Sequence, residues 1–527
     1  MTMSMRLTNY LIAAAILGAL ATPLLGQCPA RPVSGTEVQD PYTVRPQNGA
    51  LLADFSLGES VDQQGYTHYC YQYQAPQGVV EAPTLRLGPG DTLQLNLADV
   101  IQDNDASRMR MHHAVAGSVC GDGGTATVSS TNMHFHGMPV PPICHQDDVI
   151  DTLIQPGTPA FNFNIPIPAD TPPGLYWYHP HVHGFTEFQV NGGAAGALIV
   201  NGMEKVRPEV KGLKERVFVI RQQYLVPWIP GPYQLSLNYQ VSLFPNGPSP
   251  YINMKPGERQ FWRVANATIQ DFMPIQILIN SKPEKLELIA LDGYPLAKPR
   301  FVETILVPPA GRAEFIVTGP NTGSFGQFII GPYDTGPTGN PDLSAYLAAI
   351  NPVSGNLTDA SQSPAADESS HAPAVKLKWS DLGDAKVTAE RKLFFSEEFG
   401  GTNGPIQFYI TVDGQQQKVF EPDEKPVIKT KVGAVEDWTI ENRALETHAF
   451  HIHQIHFKLL EVDGQRVPDS DMLDTVTIPY WSGTGPYHSV KVRMDFRDPT
   501  IAGTFVFHCH ILLHEDLGMM HKILVEP

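Results

Sequence analysis

One pattern of apolar and polar positions recurs three times along the chain. Residues 83–95, 251–264 and 427–440 each read as a strand, a turn that contains glycine, and a second strand in which apolar side chains alternate. Alternation with a period of two predicts half-buried β-strands. In the second and third copies an asparagine, Asn266 or Asn442, lies nine residues after the turn glycine. Domain-sized intervals separate the copies, so the pattern predicts three related β-domains rather than a solenoid.

The segments between these copies give the expected domain limits. The first domain is expected at 27–205 and the second at 206–350. A stretch rich in Ser, Ala, Pro, Asp and Asn, 351–376, has few large apolar side chains and predicts a linker. The third domain is then expected at 377–527.

The composition agrees with an all-β protein. Among 527 residues, glycine (45) and proline (47) are abundant and charged residues make up only 17%, which is typical of a chain with many turns. The length is sufficient for several domains with sizeable cores. A formal net charge of −18 argues against nucleic acid and against an anionic membrane surface as partners.

The first 26 residues have the features of an export signal. Arg6 supplies a positive charge, and a short apolar run from Leu11 to Leu20 is followed by small residues. The run is too short to span a bilayer comfortably, and no other stretch of the chain is apolar enough to do so. We therefore expect 1–26 to be removed and the protein to be secreted or periplasmic, without stable membrane association. An N-terminal anchor is the alternative.

The segment from His508 to His514 carries the most specific chemistry of the chain. It reads HCHILLH, and Met519 lies ten positions beyond Cys509. A thiolate, an imidazole and a weak axial thioether form the trigonal set that holds a blue, electron-transfer copper. Because side chains alternate faces on a strand, the two histidines beside Cys509 point away from it and are free to bind a different metal. One tripeptide can thus couple two metal sites through covalent bonds.

Three further clusters contain H-x-H pairs. They are His134-Phe135-His136, His179-Pro180-His181, and His451-Ile452-His453 with His448 before it. On a strand both rings of such a pair lie on one face, so clusters that face each other can enclose several metal ions. Imidazole and thiolate ligands suit copper better than magnesium or calcium. Structural zinc is disfavoured because the chain lacks a compact C-x-x-C or H-x3-H spacing.

Four cysteines remain once Cys509 is assigned to a metal: Cys28, Cys70, Cys120 and Cys144. An even remainder in an exported chain predicts two disulfides. The sequence allows three pairings, of which we favour Cys28–Cys70 with Cys120–Cys144.

In their order along the chain, the four clusters resemble those of the multicopper oxidases, in the branch of three-domain laccases and cuprous oxidases. The resemblance extends from about residue 80 to the C-terminus. It implies an all-β fold of three consecutive cupredoxin-like Greek-key β-sandwich domains. It also implies four copper ions: one type 1, one type 2 and a type 3 pair. Phe135, Pro180 and Ala449 depart from the commonest family spelling, at positions that bind no metal.

When the family's ligand pattern is transferred residue by residue, every ligand position is occupied in this sequence. It assigns the type 1 copper to His448, Cys509 and His514, with Met519 axial. It assigns the type 2 copper to His134 and His451. It assigns the type 3 pair to His136, His179, His181, His453, His508 and His510. These residues belong to the first and third expected domains, so we expect the three-copper cluster between them, with the middle domain as a spacer.

Two carboxylates match the family's proton-relay positions. They are Glu515, directly after His514, and Asp147, for which Asp148 is the rival. Reduction of dioxygen at a buried site requires such groups because protons have to be delivered there.

The resemblance implies a copper oxidase that couples one-electron oxidation of a small reducing substrate to the four-electron reduction of dioxygen to water. We favour phenols or aromatic amines as the substrate, as in laccases. The first alternative is a metallo-oxidase of Cu(I), Mn(II) or Fe(II), which the acidic charge favours and the lack of a methionine-rich insert opposes. The second is a copper-free scaffold of cupredoxin repeats, which the complete ligand set opposes.

Overall fold

The computed structural model is an all-β protein, and it describes residues 26–62, 65–102, 120, 125–223, 234–357, 377–400, 406–468 and 470–527. Strands in these residues form six sheets, which pack in pairs as three consecutive cupredoxin-like β-sandwiches. The predicted fold class is therefore confirmed. Most of the expected export signal (1–25) and of the expected linker (358–376) lies outside the described residues.

The first sandwich consists of two five-stranded sheets. Its strands are β1 (Thr43–Val44), β2 (Ala50–Val61), β3 (Thr67–Ala75), β4 (Gly78–Glu81), β5 (Thr84–Leu87), β6 (Thr92–Asp99), β7 (His134–His136), β8 (Phe161–Pro166), β9 (Gly174–His179) and β10 (Gly196–Val200). The sheet orders are β1-β5-β10-β9-β7 and β4-β3-β2-β6-β8. Apolar side chains from both sheets, Leu95 and Leu198 among them, form its core.

The second sandwich packs a seven-stranded sheet on a six-stranded one. Its strands are β11 (Lys214–Gln223), β12 (Gln234–Leu237), β13 (Gln240–Val241), β14 (Tyr251–Met254), β15 (Arg259–Asn266), β16 (Met273–Ile279), β17 (Lys282–Pro283), β18 (Leu286–Leu291), β19 (Tyr294–Val302), β20 (Ile305–Val307), β21 (Arg312–Thr318), β22 (Gly326–Ile330) and β23 (Ala345–Pro352). Trp262 and Phe328 lie in its core.

The third sandwich pairs a seven-stranded sheet with a five-stranded one. Its strands are β24 (Ala389–Phe399), β25 (Ile406–Val412), β26 (Ile428–Lys431), β27 (Ala434–Asn442), β28 (His448–Ile452), β29 (Phe457–Val462), β30 (Gln465–Arg466), β31 (Met472–Leu473), β32 (Thr475–Ile478), β33 (His488–Phe496), β34 (Gly503–Cys509) and β35 (Met520–Glu526). Its core contains Trp438 and also Cys509.

The recurring sequence segment occupies the same corner of each sandwich. Its two strands are β5 and β6, β14 and β15, or β26 and β27, and in each case they lie in opposite sheets. The turn glycines Gly90, Gly257 and Gly433 have φ values of +88°, +70° and +97°. Residues with a Cβ rarely adopt such values, which explains the glycine in each copy.

The last strand of the second sandwich extends into the expected linker. β23 continues to Pro352, and Asn351 and Pro352 pair with Asn253 and Met254 of β14. The domain limits expected from the sequence stay predictions.

Both predicted disulfides are present. Cys28 is bonded to Cys70 and Cys120 to Cys144, and Cys509 is free. The favoured pairing is therefore confirmed.

The helices of the described residues are short. They are α1 (Thr186–Gly192), α2 (Met203–Val206) and α3 (Leu512–Asp516). In this part of the chain, no helix combines the length and the apolar character that crossing a membrane requires.

The three sandwiches share buried surfaces. An apolar cluster that includes Leu175 and Val219 joins the first sandwich to the second. A smaller cluster takes one side chain from each sandwich: Val190 from α1, Ile269 after β15, and Leu512 from α3. The start of α3, which follows the HCH segment, is thereby packed against both other sandwiches.

Gly174, the first residue of β9, provides a test of the contact between the first two sandwiches. A Cβ at Gly174 would lie 2.3 Å from the carbonyl oxygen of Gly293, which is backbone and cannot rotate away. We expect Gly174→Ala to destabilise the protein by about 1–3 kcal/mol through overpacking. Gly331→Ala is the matched control, because its Cβ would meet its nearest atom at 3.4 Å. Equal unfolding free energies of the two variants in denaturant titrations would contradict this packing.

Candidate metal centre

The first two histidine clusters lie on neighbouring strands of the first sandwich. β7 pairs with β9 in antiparallel register, with His134 opposite His179 and His136 opposite Trp177. Alternation on β7 puts the rings of His134 and His136 on the same face, as expected. His181 follows two residues after the end of β9, and all four rings are buried.

The other two clusters lie on neighbouring strands of the third sandwich. β28 pairs with β34, with His451 opposite His508 and Phe450 opposite Cys509. Because successive side chains alternate faces, Cys509 is buried in the core of the third sandwich while His508 and His510 face the first sandwich. The side chains of the tripeptide are therefore divided between the core of the third sandwich and its interface with the first.

Eight of the ten predicted histidine ligands form one buried group across this interface, which we call the histidine cluster. Its members are His134, His136, His179, His181, His451, His453, His508 and His510. Rings from the two sandwiches stack in pairs, with centroids 3.8 Å apart for His134 and His453 and 3.9 Å apart for His136 and His451. The Nε2 atom of His508 lies 3.2 Å from Nε2 of His453 and 3.4 Å from Nε2 of His181.

A second donor set, the Cys509 group, consists of Cys509, His448 and His514. The Sγ atom of Cys509 lies 3.5 Å from Nδ1 of His448 and 3.9 Å from Nδ1 of His514. Met519, the predicted axial ligand, is fully buried in the same core, and its carbonyl oxygen accepts the N–H of Cys509 at 3.0 Å. The ring of Phe408 stacks on His514 with centroids 3.9 Å apart.

Burial favours the uncharged form of four of these imidazoles. Removal from water lowers the pKa of His508 to about 3, and together with the neighbouring rings it lowers the pKa of His181, His453 and His510 well below the usual range. Burial also raises the pKa of the Cys509 thiol above its usual range. Neutral imidazole is the form that binds metals, so these four rings already have the protonation that ligands require.

Both donor sets fit copper ions. Buried ring nitrogens without a hydrogen-bond partner among the described residues are found on His134, His136, His179, His451 and His510. Unpaired buried polar atoms are costly, and each one needs a physical reason. Groups of three donors within 4.8 Å of one another occur in both sets. A cluster of imidazoles beside a thiolate-containing set matches the ligand preference of copper.

Glu515 lies beside the histidine cluster, in α3. Its Oε2 is 3.2 Å from Nδ1 of His508 and its Oε1 is 3.5 Å from Nε2 of His181. The next residue, Asp516, accepts the backbone N–H groups of Gly184 and Thr186 at 2.9 and 3.1 Å, which ties α3 to the first sandwich. Burial raises the pKa of Glu515 well above its usual range.

Asp147 also contacts the histidine cluster, whereas Asp148 does not. Both carboxylate oxygens of Asp147 lie 3.0 Å from Nδ1 of His134, and one accepts the N–H of Phe135 at 3.0 Å. Asp148 instead accepts the backbone N–H of Asp151 at 3.1 Å. The contacts therefore favour Asp147 over its rival as the candidate for a proton-relay position.

The sequence patterns missed three acidic residues of the site. Asp474 contacts the histidine cluster, with Oδ1 at 3.3 Å from Nε2 of His136. Glu397 and Glu446 lie beside the Cys509 group: Oε1 of Glu397 is 3.4 Å from Nε2 of His448, and Oε2 of Glu446 is 3.5 Å from Nε2 of His514. None of the three lies in a recognisable motif, and Asp474 directly precedes Thr475 of β32, which pairs with His451 of β28.

Comparison with known proteins agrees with this arrangement. Three family profiles, each described as multicopper oxidase, match residues 126–205, 170–347 and 401–527. The chain belongs to the multicopper oxidase family, and it is an oxidoreductase. Members of this family contain copper and use dioxygen and a reducing substrate.

Individual relatives are distant but extend over most of the chain. A multicopper oxidase of Staphylococcus aureus is 24% identical over 508 residues, which are 92% of this chain and 88% of that protein. A metallo-oxidase of Campylobacter jejuni has a similar structure, with a TM-score of 0.68, 22% identity and coverage of 94% and 96%. A laccase-like enzyme of Ochrobactrum, with activity towards lignin model compounds, has a TM-score of 0.64, 20% identity and coverage of 92% and 99%.

Copper removal should weaken the contact between the first and third sandwiches. The histidine cluster takes rings from both, so metal bound there cross-links them, whereas the Cys509 group lies wholly in the third sandwich. We expect chelation to lower the melting temperature and copper to restore it. Cys509→Ser should keep most of this copper-dependent increase. Loss of the whole increase in a folded Cys509→Ser variant would contradict the cross-link.

Proposed function

We propose that the chain is a four-copper oxidase of the laccase type. In this proposal the Cys509 group and Met519 would hold the type 1 copper. The histidine cluster holds the type 2 copper and the type 3 pair in the assignment given above. One observation carries the proposal: the donor sets lie on opposite faces of β34 and are joined by the tripeptide from His508 to His510.

When bound, copper would supply the chemistry for one-electron oxidation of the reducing substrate and for four-electron reduction of dioxygen to water. The residues of the chain supply the route and the surroundings. The peptide and side-chain bonds between Cys509 and its two neighbouring histidines connect the sets directly. Complete burial of the histidine cluster excludes bulk water from the oxygen-reducing site.

We place the reducing substrate at the outer edge of His514. This side chain is only 3% exposed, but Leu513 and Leu517 on the same helical segment are 41% and 44% exposed. An apolar surface beside a ligand imidazole suits the ring of a phenol or an aromatic amine.

Glu446 is a group next to this edge that can accept a proton once it is ionised; burial and the neighbouring Glu397 raise its pKa to about 8. A phenol that loses one electron to become a neutral phenoxyl radical also releases its hydroxyl proton. Oε2 of Glu446 is 3.5 Å from Nε2 of His514, and the carboxyl is partly exposed. Electron and proton would therefore leave the substrate at the same place.

A metal cation is the second candidate substrate. Glu397 and Glu446 place one carboxylate against each imidazole of the Cys509 group. Hard carboxylate oxygens are ligands for Mn(II) and Fe(II), and their charge also attracts Cu(I). The copper-free scaffold is not supported, because the predicted histidine and cysteine ligands all lie in the two donor sets.

We propose that the protein works outside the cytosol. Two disulfides support this location, since such bonds persist in oxidising compartments. The proposal adds to the export signal expected at 1–26.

Oxygen uptake by the copper-loaded protein tests the function. Methoxyphenol and Cu(I) are supplied in separate runs, with Cys509→Ser as the control that lacks the entry point for electrons. Faster uptake with the phenol supports the laccase proposal, and uptake with Cu(I) alone supports the metallo-oxidase. No uptake with either contradicts both the laccase proposal and the oxidation of Cu(I).

Glu446→Gln separates the two candidate substrates. Above about pH 8, where Glu446 is ionised, we expect turnover of methoxyphenol to fall roughly 100-fold, because Gln cannot accept the proton. Turnover of an organic donor that carries no transferable proton should change little. Glu398→Gln, which removes an exposed carboxylate from the same strand as Glu397, is the matched control. A loss confined to Cu(I) oxidation would contradict the phenol assignment.

Glu515→Gln tests the proposed proton delivery. The variant should keep the blue absorption of the Cys509 group, since Glu515 contacts the histidine cluster instead. Reoxidation of the reduced enzyme by dioxygen, followed by stopped-flow absorption, should slow by roughly 100-fold or more. Reoxidation at the wild-type rate in a variant with full copper content would refute the role.

A further inference from the structure

The middle sandwich contributes one arginine to the junction of all three sandwiches. Arg312, the first residue of β21, is completely buried. Its guanidinium donates to the carbonyl oxygens of Leu175 at 3.2 Å, Asp292 at 2.8 Å and Ala310 at 3.2 Å. It also forms a bidentate pair with the carboxylate of Asp474, at 2.7 and 2.5 Å. A bidentate pair of this kind fixes a carboxylate in both position and orientation.

Asp474 in turn contacts two histidines from opposite sandwiches. Its Oδ1 lies 3.3 Å from Nε2 of His136, on β7 of the first sandwich. Its carbonyl oxygen lies 2.8 Å from Nδ1 of His451, on β28 of the third. These are the two rings that stack across the interface at 3.9 Å. One residue therefore orients both members of a stacked pair.

The second ring nitrogen of His136 and of His451 is available to bind a metal. Nδ1 of His136 and Nε2 of His451 are buried and have no hydrogen-bond partner within the described part of the chain. A histidine that binds a metal usually donates its second N–H to a carboxylate or carbonyl, which fixes the tautomer and the ring orientation. The contacts with Asp474 thus select Nδ1 of His136 and Nε2 of His451 as the nitrogens offered to a metal.

The Arg312–Asp474 pair occupies a closely fitted space. A Cβ on Gly137 would lie 2.5 Å from Oδ2 of Asp474 and 2.6 Å from Nη2 of Arg312. Oδ2 of Asp292 accepts the backbone N–H groups of Asp474 and Thr475 at 3.2 and 3.3 Å. The carboxylate is therefore held by its charge partner, its own backbone and the lack of free space.

We propose that Arg312 and Asp474 are positioning residues, through which the middle sandwich sets the orientation of the copper ligands His136 and His451. This inference rests on the copper assignment made under the proposed function. Removal of the guanidinium would remove the hydrogen-bond donor that three carbonyl oxygens and the Asp474 carboxylate share. The carboxylate is then free to turn away from His136. The middle sandwich is thus more than the spacer that the sequence predicted.

Arg312→Gln is the direct test, with Arg259→Gln as the matched control. Arg259 is a buried arginine of the same sandwich and pairs with Glu287 rather than with Asp474. Both variants are loaded with copper and dialysed against a graded series of a chelator. We expect Arg312→Gln to lose the type 2 copper at about 10- to 100-fold lower chelator concentration than the wild type. The blue absorption of the Cys509 group should persist, and Arg259→Gln should keep both signals.

Electron paramagnetic resonance supplies a readout that is independent of activity. A selectively altered or lost type 2 signal in Arg312→Gln supports the inference. A wild-type signal and wild-type copper retention in that variant overturn it. If Arg312→Gln does not fold, Asp474→Asn decides in the same way, because it preserves the shape of the side chain while removing its charge. A wild-type protein that binds no type 2 copper contradicts the proposed function itself.

Discussion

Alternation of side chains on β34 is the constraint on which the rest of the structure depends. It directs Cys509 into the core of the third sandwich and directs His508 and His510 out of it. The outward rings can be buried only if another surface covers them, and the first sandwich supplies that surface with rings of its own. Burial of these three consecutive residues therefore requires that the first and third sandwiches lie against each other.

In the absence of metal, burial of eight imidazoles raises the free energy of this interface. Exclusion of water lowers the pKa of rings such as His510 well below the usual range, and several ring nitrogens find no partner among the described residues. Oxygen atoms of two aspartates contact three rings of the cluster. The carboxylate of Asp147 contacts His134, the carboxylate of Asp474 contacts His136, and the carbonyl oxygen of Asp474 contacts His451. These acceptors hold the rings in place before any metal arrives, so a metal that binds there meets an organised set of donors.

The sequence was sufficient wherever chemistry follows from local spacing. Strand alternation predicted the faces of Cys509 and its neighbours, and the three strand–turn–strand copies predicted three sandwiches. The sequence was insufficient where residues from distant segments of the chain come into contact. Asp474, Glu397 and Glu446 reach the site through strand pairing and loop packing, which no motif records. The middle sandwich has no metal-binding motif, so the sequence predicted a spacer, whereas Arg312 makes contacts that depend on the packing of all three sandwiches.

The most direct test of this account is a copper-edge anomalous difference map from crystals of the copper-loaded protein. The account predicts one peak enclosed by His448, Cys509 and His514, and a separate group of three peaks among the eight rings of the histidine cluster. Peaks elsewhere, or no peaks among those eight rings in a protein that retains its copper, would contradict it.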